Sequence, residues 1–177
     1  MSSPRVPVLW LFGPSGVGKT TVAREIAARL GSSGVKAALV DTDMIGLCRP
    51  ESADDPEHHR LKARNLAALW SVLHAAGAQC LLLAGGVEHA GQLALYVHNI
   101  AGAELTVCQL SLGEADHRAR IMERNGRSVA WIDDLIEEGK DLDHNDFTDV
   151  RVDTGGLSVG ESAERILDAA GRWPVIA

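Results

Sequence analysis

The chain has no concentrated positive charge, no long apolar run and no paired cysteines, and each absence removes a class of function. Its 177 residues carry 17 Lys and Arg against 24 Asp and Glu, a net charge of −7, with the cations spread along the chain. Nucleic acids and anionic membrane surfaces are gripped through basic patches, so neither is an expected partner. The longest apolar stretch, around Cys80 to Ala84, falls far short of the roughly 20 residues that a membrane-spanning helix needs. Cys48, Cys80 and Cys108 are widely separated with no C-x-x-C, a pattern of reduced core thiols rather than of a metal or redox centre. The first apolar run is broken by Pro7 and does not read as a leader, so a cytoplasmic location is expected.

What is present is more specific. Gly13-Pro14-Ser15-Gly16-Val17-Gly18-Lys19-Thr20 spells G-x-x-x-x-G-K-T. It follows the apolar run Val6 to Phe12 and leads into Thr21 to Leu30, which has helical periodicity. That strand, loop and helix context is the one in which the motif forms a phosphate cradle. Glycines let successive backbone N–H groups turn inward, and the helix N-terminus adds partial positive charge. Gly13, Ser15, Gly16, Val17, Gly18, Lys19, Thr20 and Thr21 are therefore expected to bind a nucleoside triphosphate. Lys19 would reach the β- and γ-phosphates, and the Thr20 hydroxyl would hold Mg²⁺.

Strand-like apolar runs alternate with helical patterns along the whole length, which predicts one domain, residues 1–177, with a five-stranded parallel sheet covered on both faces. The expected strands are Val6–Phe12, Val35–Asp41, Gln79–Ala84, Glu104–Leu110 and Val150–Asp153. The expected helices are Lys19–Leu30, Pro56–Ala76, Gly91–Ile100, Glu114–Arg124, Trp131–Lys140 and Ser158–Gly171. Arg49–Pro56 and Asn125–Val129 read as mobile loops, and a short lid is expected at about residues 124–135.

Ligands of open α/β sheets bind outside the carboxyl ends of the strands. The second strand ends in Asp41-Thr42-Asp43, two acids at i and i+2 that can share a face. One would accept the proton of an attacking hydroxyl while the other orders water around Mg²⁺. The third strand ends in Gly85-Gly86 rather than in an acid. That weighs against a motor or AAA-type ATPase and leaves room for a substrate, with Glu88 and His89 just beyond. Arg60, Arg64 and Asn65 open the helix after the acid pair and could grip an anionic or hydroxyl-rich acceptor. Arg120, Arg124 and Arg127 could place positive charge over a migrating phosphoryl group. No N/T-K-x-D string for guanine exists, so ATP is the expected nucleotide. Asp153-Thr154-Gly155-Gly156 follows the last strand rather than the one beside the phosphate loop.

With these residues in place the chain resembles the small P-loop kinases, most nearly the adenylylsulfate kinase-like and chloramphenicol phosphotransferase-like groups. Asp41-Thr42-Asp43 is similar to the Asp-Gly-Asp of adenylylsulfate kinases, and Asp41 falls where chloramphenicol phosphotransferase has its catalytic Asp. Arg64-Asn65 resembles an acceptor-site helix, and Arg120 with Arg124 resembles a lid pair that meets adenine and phosphate. Val152 to Ser158 resembles an adenine-wrapping loop, which brings in Thr154 and Gly155. Two positions depart from the relatives: Gly46 stands where adenylylsulfate kinases have Arg, and Gly85-Gly86 where chloramphenicol phosphotransferase has an acid.

The resemblance implies a P-loop NTPase three-layer α/β sandwich and ATP- and Mg²⁺-dependent phosphorylation of a small hydroxyl compound. The acceptor would be an antibiotic, a sugar derivative or another metabolite. It favours Asp41 slightly as the base, with Asp43 beside Thr20 at the metal; Asp41, Arg60, Arg64, Asn65, Gly85, Gly86 and Glu88 would line the acceptor site. A nucleoside or nucleotide kinase and a regulatory ATPase are the alternatives. The chain could act as a monomer or a homodimer.

Overall fold

A computed structural model describes residues 5–125, 129–142, 146–171 and 173–174. Among them the order of elements is β1 (Val6–Phe12), α1 (Lys19–Ser32), β2 (Ala37–Asp41), α2 (His59–Ala75), β3 (Cys80–Ala84) and α3 (Ala90–Val97). There follow β4 (Ala103–Ser111), α4 (Glu114–Asn125), α5 (Val129–Leu142), β5 (Val150–Asp153) and α6 (Val159–Ala169). The strands form one parallel sheet in the order β2-β3-β1-β4-β5, with β1 at its centre.

Alternation along β1 builds the two faces. Val6, Val8, Trp10 and Phe12 point to one side, where Leu66 and Trp70 of α2 and Leu93 and Tyr96 of α3 cover them. Leu9 and Leu11 point to the other, against Ile26 and Leu30 of α1 and Ala163 and Ile166 of α6. A strand whose every side chain is buried has both faces roofed, as parallel sheets require. A smaller cluster of Ile121, Ile132 and Ile136 holds α5 on α4, reinforced by Arg118 of α4 paired with Asp133 at 2.7 Å. The stretch from about 124 to 135, expected as a short lid with a helix from Trp131, begins at the end of α4 and continues into α5, apart from residues 126–128, which lie outside the described set.

Three expectations need correction. The second helix starts at His59 rather than Pro56, because the Asp55 carboxylate accepts from the backbone N–H groups of Arg60 and Leu61 at 3.2 and 3.1 Å. Those contacts cap a helix that begins beyond Pro56, which sits in the preceding turn. The second strand begins at Ala37, two residues later than the apolar run suggested. Cys48 is not a core thiol but is exposed in the loop after β2, while Cys80 and Cys108 are buried in strands. Burial pushes the Cys80 thiol up to about 11 and Cys108 up to about 12, so both stay protonated and inert.

The turn after β3 is fixed by close packing. Trp10 Nε1 donates to Gly85 O at 3.2 Å in the buried interior, and a Cβ on Gly85 would lie 1.8 Å from Thr42 Oγ1. Gly85→Ala should therefore destabilise the fold by about 1–3 kcal/mol, the range for overpacking. Gly31 lies within α1 with nothing within 4 Å of its would-be Cβ, and Gly31→Ala should stabilise by up to about 1 kcal/mol. Urea unfolding of both variants checks the pair, and equal effects would contradict the packing described.

Candidate functional site

The phosphate loop leaves β1 at Gly13, whose Cβ, were there one, would meet Leu110 O at 2.3 Å. Only glycine lets the loop run this close to β4. Gly18 caps α1 in a left-handed conformation, φ 105°, with no side chain accepting from the first turn. The first-turn N–H groups are thereby left for an anion. Ser15, Gly16, Val17, Gly18, Lys19, Thr20 and Thr21 line a cleft of about 890 Å³. Lys19 Nζ donates to Gly13 O at 2.8 Å and to Pro14 O at 3.1 Å.

Helix α4 braces this loop from outside. His117, 3% exposed, donates from Nε2 to Ser15 O at 2.7 Å, since a carbonyl can only accept. The Arg120 guanidinium donates to Val17 O at 3.1 Å and to Thr154 O at 3.0 Å. Arg120 therefore ties the phosphate loop to the segment after β5, and it also lines the cleft. Thr154 is buried, with its hydroxyl donating to Ser111 O at 3.1 Å. Gly155 lies beside it, its N–H on Asp153 Oδ1 at 2.8 Å, and is not part of the cleft lining. Leu157 and Val159 line that end of the cleft instead. Arg127 and the side chain of Arg124 lie outside the described residues.

At the other end of the cleft stand the two acids. Thr20 Oγ1 donates to Asp41 Oδ2 at 2.8 Å. Asp41 Oδ1 accepts from the N–H of Asp43 at 3.1 Å, a turn in which a carboxylate binds its own backbone two residues on. Asp43 lies past the strand, and its Oδ1 accepts from Gly86 N at 3.1 Å. The pair shares the cleft through this turn, while Thr42 between them is buried against Ala84 O. Asp41 faces the phosphate loop, whereas Asp43 faces the turn after β3.

The expected acceptor residues are only partly gathered there. Gly86 touches Asp43, and Gly85 is held beneath it by Trp10. Glu88 is exposed nearby on the same turn. Asn65 instead donates to Ile45 O at 2.6 Å, and Arg60 pairs with Asp54 at 3.5 Å. Arg64 is exposed on α2. Sequence reasoning missed His117, His59 and Tyr96, because a single His or Tyr carries no spacing signal.

His59 Nδ1 lies 3.0 Å from the Tyr96 hydroxyl. Burial, aided by Lys62, pulls the His59 imidazole below its ordinary 6.5, while Glu88, Glu57 and Asp55 oppose the shift. The unfolded chain therefore takes up this proton at higher pH than the folded one, and stability present above about 6.5 is lost as pH falls through the depressed value. Thermal melting should weaken on acidification below that point, and His59→Gln should flatten this loss. An identical acid profile in the variant would contradict the assignment.

The geometry has counterparts in other proteins. No curated protein sequence matches. Among solved structures, the tunicamycin resistance protein of Deinococcus radiodurans is 22% identical, with a TM-score of 0.62, over 94% of this chain and 96% of that one. A gluconokinase from Sinorhizobium meliloti is 18% identical, with a TM-score of 0.62, over 97% and 94%. The Mycobacterium tuberculosis APS kinase CysC, in complex with AMPPNP and APS, is 22% identical, with a TM-score of 0.60, over 95% and 99%. These likenesses establish the small P-loop kinase fold. Residues 8–138 match the AAA domain family, so the lack of an acid after β3 does not set the chain apart from proteins of that name. By that match, which spans most of its length, the chain belongs to the AAA domain family.

Proposed function

We propose that this protein transfers the γ-phosphoryl group of Mg²⁺-ATP to a hydroxyl group of a small molecule. The observation that carries the reading is the chain of contacts from the phosphate loop outward. Thr20 is bonded to Asp41, Asp41 to the backbone of Asp43, and Asp43 to the backbone beyond β3. A nucleotide seated with its phosphates on the loop would point its γ-phosphate toward this end of the cleft.

The donors fit the ion. Mg²⁺ favours hard oxygen ligands and is usually held by one or two carboxylates together with phosphates and water. Thr20 Oγ1 and Asp41 Oδ2, 2.8 Å apart, offer a hydroxyl and a carboxylate beside Lys19. Bound there, Mg²⁺ would supply charge neutralisation on the β- and γ-phosphates.

The same contacts support exchanging the roles expected from the resemblance. Asp41, committed to Thr20, suits the metal side. Asp43, exposed and turned toward Gly86, suits the base that takes the acceptor's proton. Lys19 would supply positive charge where negative charge builds up on the phosphate oxygens during transfer, and Arg120 and His117 hold the loop carbonyls in place. CysC is in complex with both AMPPNP and APS, and that pairing of two ligands on a similar fold supports a cleft divided between nucleotide and acceptor here.

Three outcomes are expected. Lys19→Ala should lower turnover by about 10²-fold or more while the protein stays folded by circular dichroism. Asp43→Asn should reduce kcat by about 10²–10⁴-fold with ATP affinity unchanged. ATP should compete more tightly than GTP in a displacement assay. Steady release of phosphate without any acceptor would instead support an ATPase.

A further inference from the structure

At the carboxyl ends of β2 and β3, one polar pair, a buried tyrosine and a half-buried histidine, takes no part in the phosphate chemistry described. Tyr96 of α3 is wholly buried and packs edge-on to Trp10 with ring centroids 4.8 Å apart. Its hydroxyl meets Nδ1 of His59, the first residue of α2, at 3.0 Å. A buried hydroxyl places its hydrogen on an acceptor. His59 Nδ1 is the partner this hydroxyl has among the described residues. The ring therefore carries its own hydrogen on Nε2, the second polar atom of a half-buried side chain.

The surroundings are acidic. Trp10, against which Tyr96 packs, donates to Gly85 O, and the N–H of the next residue, Gly86, is bonded to Asp43, so contacts run from the pair to that acid. Burial first, then the charges of Asp43 and Asp55, hold the Tyr96 phenol far above its ordinary range. Glu88, Glu57 and Asp55 act on His59 from the turn after β3 and from the segment before α2, with Lys62 as the opposing cation. Lys62 also fills the space above Gly46, where a Cβ would meet its Cγ at 2.3 Å. Arg60 is drawn toward Asp54 and Asn65 toward Ile45 O, while Arg64 stays exposed on the same helix. An anionic acceptor would meet more like charge than opposite charge here.

We propose that His59, held by Tyr96, forms the acceptor subsite together with Asp43 and Glu88, and that this subsite takes an uncharged or amino-bearing polyhydroxyl compound rather than a carboxylate, sulfate or phosphate ester. The proposal rests on the kinase reading above. His59 Nε2–H donates to a hydroxyl next to the one being phosphorylated, which orients the latter toward Asp43. Glu88 receives an ammonium group where the acceptor carries one. His59 and Tyr96 are positioning residues and touch neither the transferring phosphoryl group nor the metal.

The test is a panel of hydroxyl compounds matched in skeleton, each supplied in neutral, amino, carboxylate and sulfate forms. The whole chain and Mg²⁺-ATP are added, and the gain of one phosphoryl group is followed by mass spectrometry. The proposal expects kcat/KM about 10-fold or more higher for neutral or amino members than for their anionic partners, as like-charge contacts are costly. Transfer confined to the anionic members overturns it and leaves the kinase reading standing. No transfer to any member, with ATP binding intact by calorimetry, overturns both.

On the best acceptor, His59→Leu should raise KM roughly 3–10-fold, the loss of one neutral hydrogen bond, with kcat changed less than about threefold. Tyr96→Phe should do the same to a smaller degree, and Glu88→Gln should raise KM for amino compounds only. A fall in kcat with KM unmoved in His59→Leu would show a general structural effect and overturn the subsite.

Discussion

A loop that turns its amide hydrogens toward a phosphate must turn carbonyls away from it, and carbonyls near the interior need donors. Much of this structure answers that constraint. Lys19 serves Gly13 and Pro14, His117 serves Ser15, and Arg120 serves Val17. Because His117 and Arg120 sit one turn apart on α4, the helix is fixed against the loop. Because Arg120 also reaches Thr154 O, the segment after β5 is fixed as well. One backbone arrangement thus sets the positions of α4, of α5 packed upon it, and of the cleft wall at the β5 edge.

The strand order gives the cleft a direction. With β1 central, β2 and β5 form opposite edges of the sheet. Thr154 and Leu157 therefore stand at one end of the cleft, with Asp41 and Asp43 at the other. Partial positive charge sits in the middle, from the helix α1 N-terminus and Lys19, and carboxylates lie toward the β2 edge. That gradient suits a polyanionic nucleotide in the middle and a non-anionic partner at the acidic end.

The phosphate loop and the acid pair were legible in the sequence because their chemistry is local: a spacing of glycines, one Lys, and two acids at a strand end. The limits of β1 and β5 followed from their apolar runs, whereas β2 begins two residues later than its run suggested. What stayed hidden depends on contacts between distant segments. Arg60 and Asn65 looked like acceptor ligands until Asp54 and Ile45 O proved to be their partners. Arg120 resembled a stacking residue, yet its guanidinium binds carbonyls more than 30 residues away in either direction. The start of α2 moved because Asp55 caps from upstream, a tertiary choice that Pro56 does not announce. His59 and Tyr96 are 37 residues apart and meet only because α2 and α3 pack on the same face of the sheet.

The central claim is that the two acids divide the work, Asp41 on the metal side with Thr20 and Asp43 on the acceptor side. Its most direct test needs no acceptor: calorimetric ATP binding over a range of Mg²⁺ concentrations in Asp41→Asn and Asp43→Asn. The account predicts that the half-saturating Mg²⁺ concentration rises about 10-fold or more in Asp41→Asn, the scale of a lost metal-organising contact. In Asp43→Asn it should stay within about twofold of the unaltered protein. A shift in Asp43→Asn with none in Asp41→Asn would contradict the account.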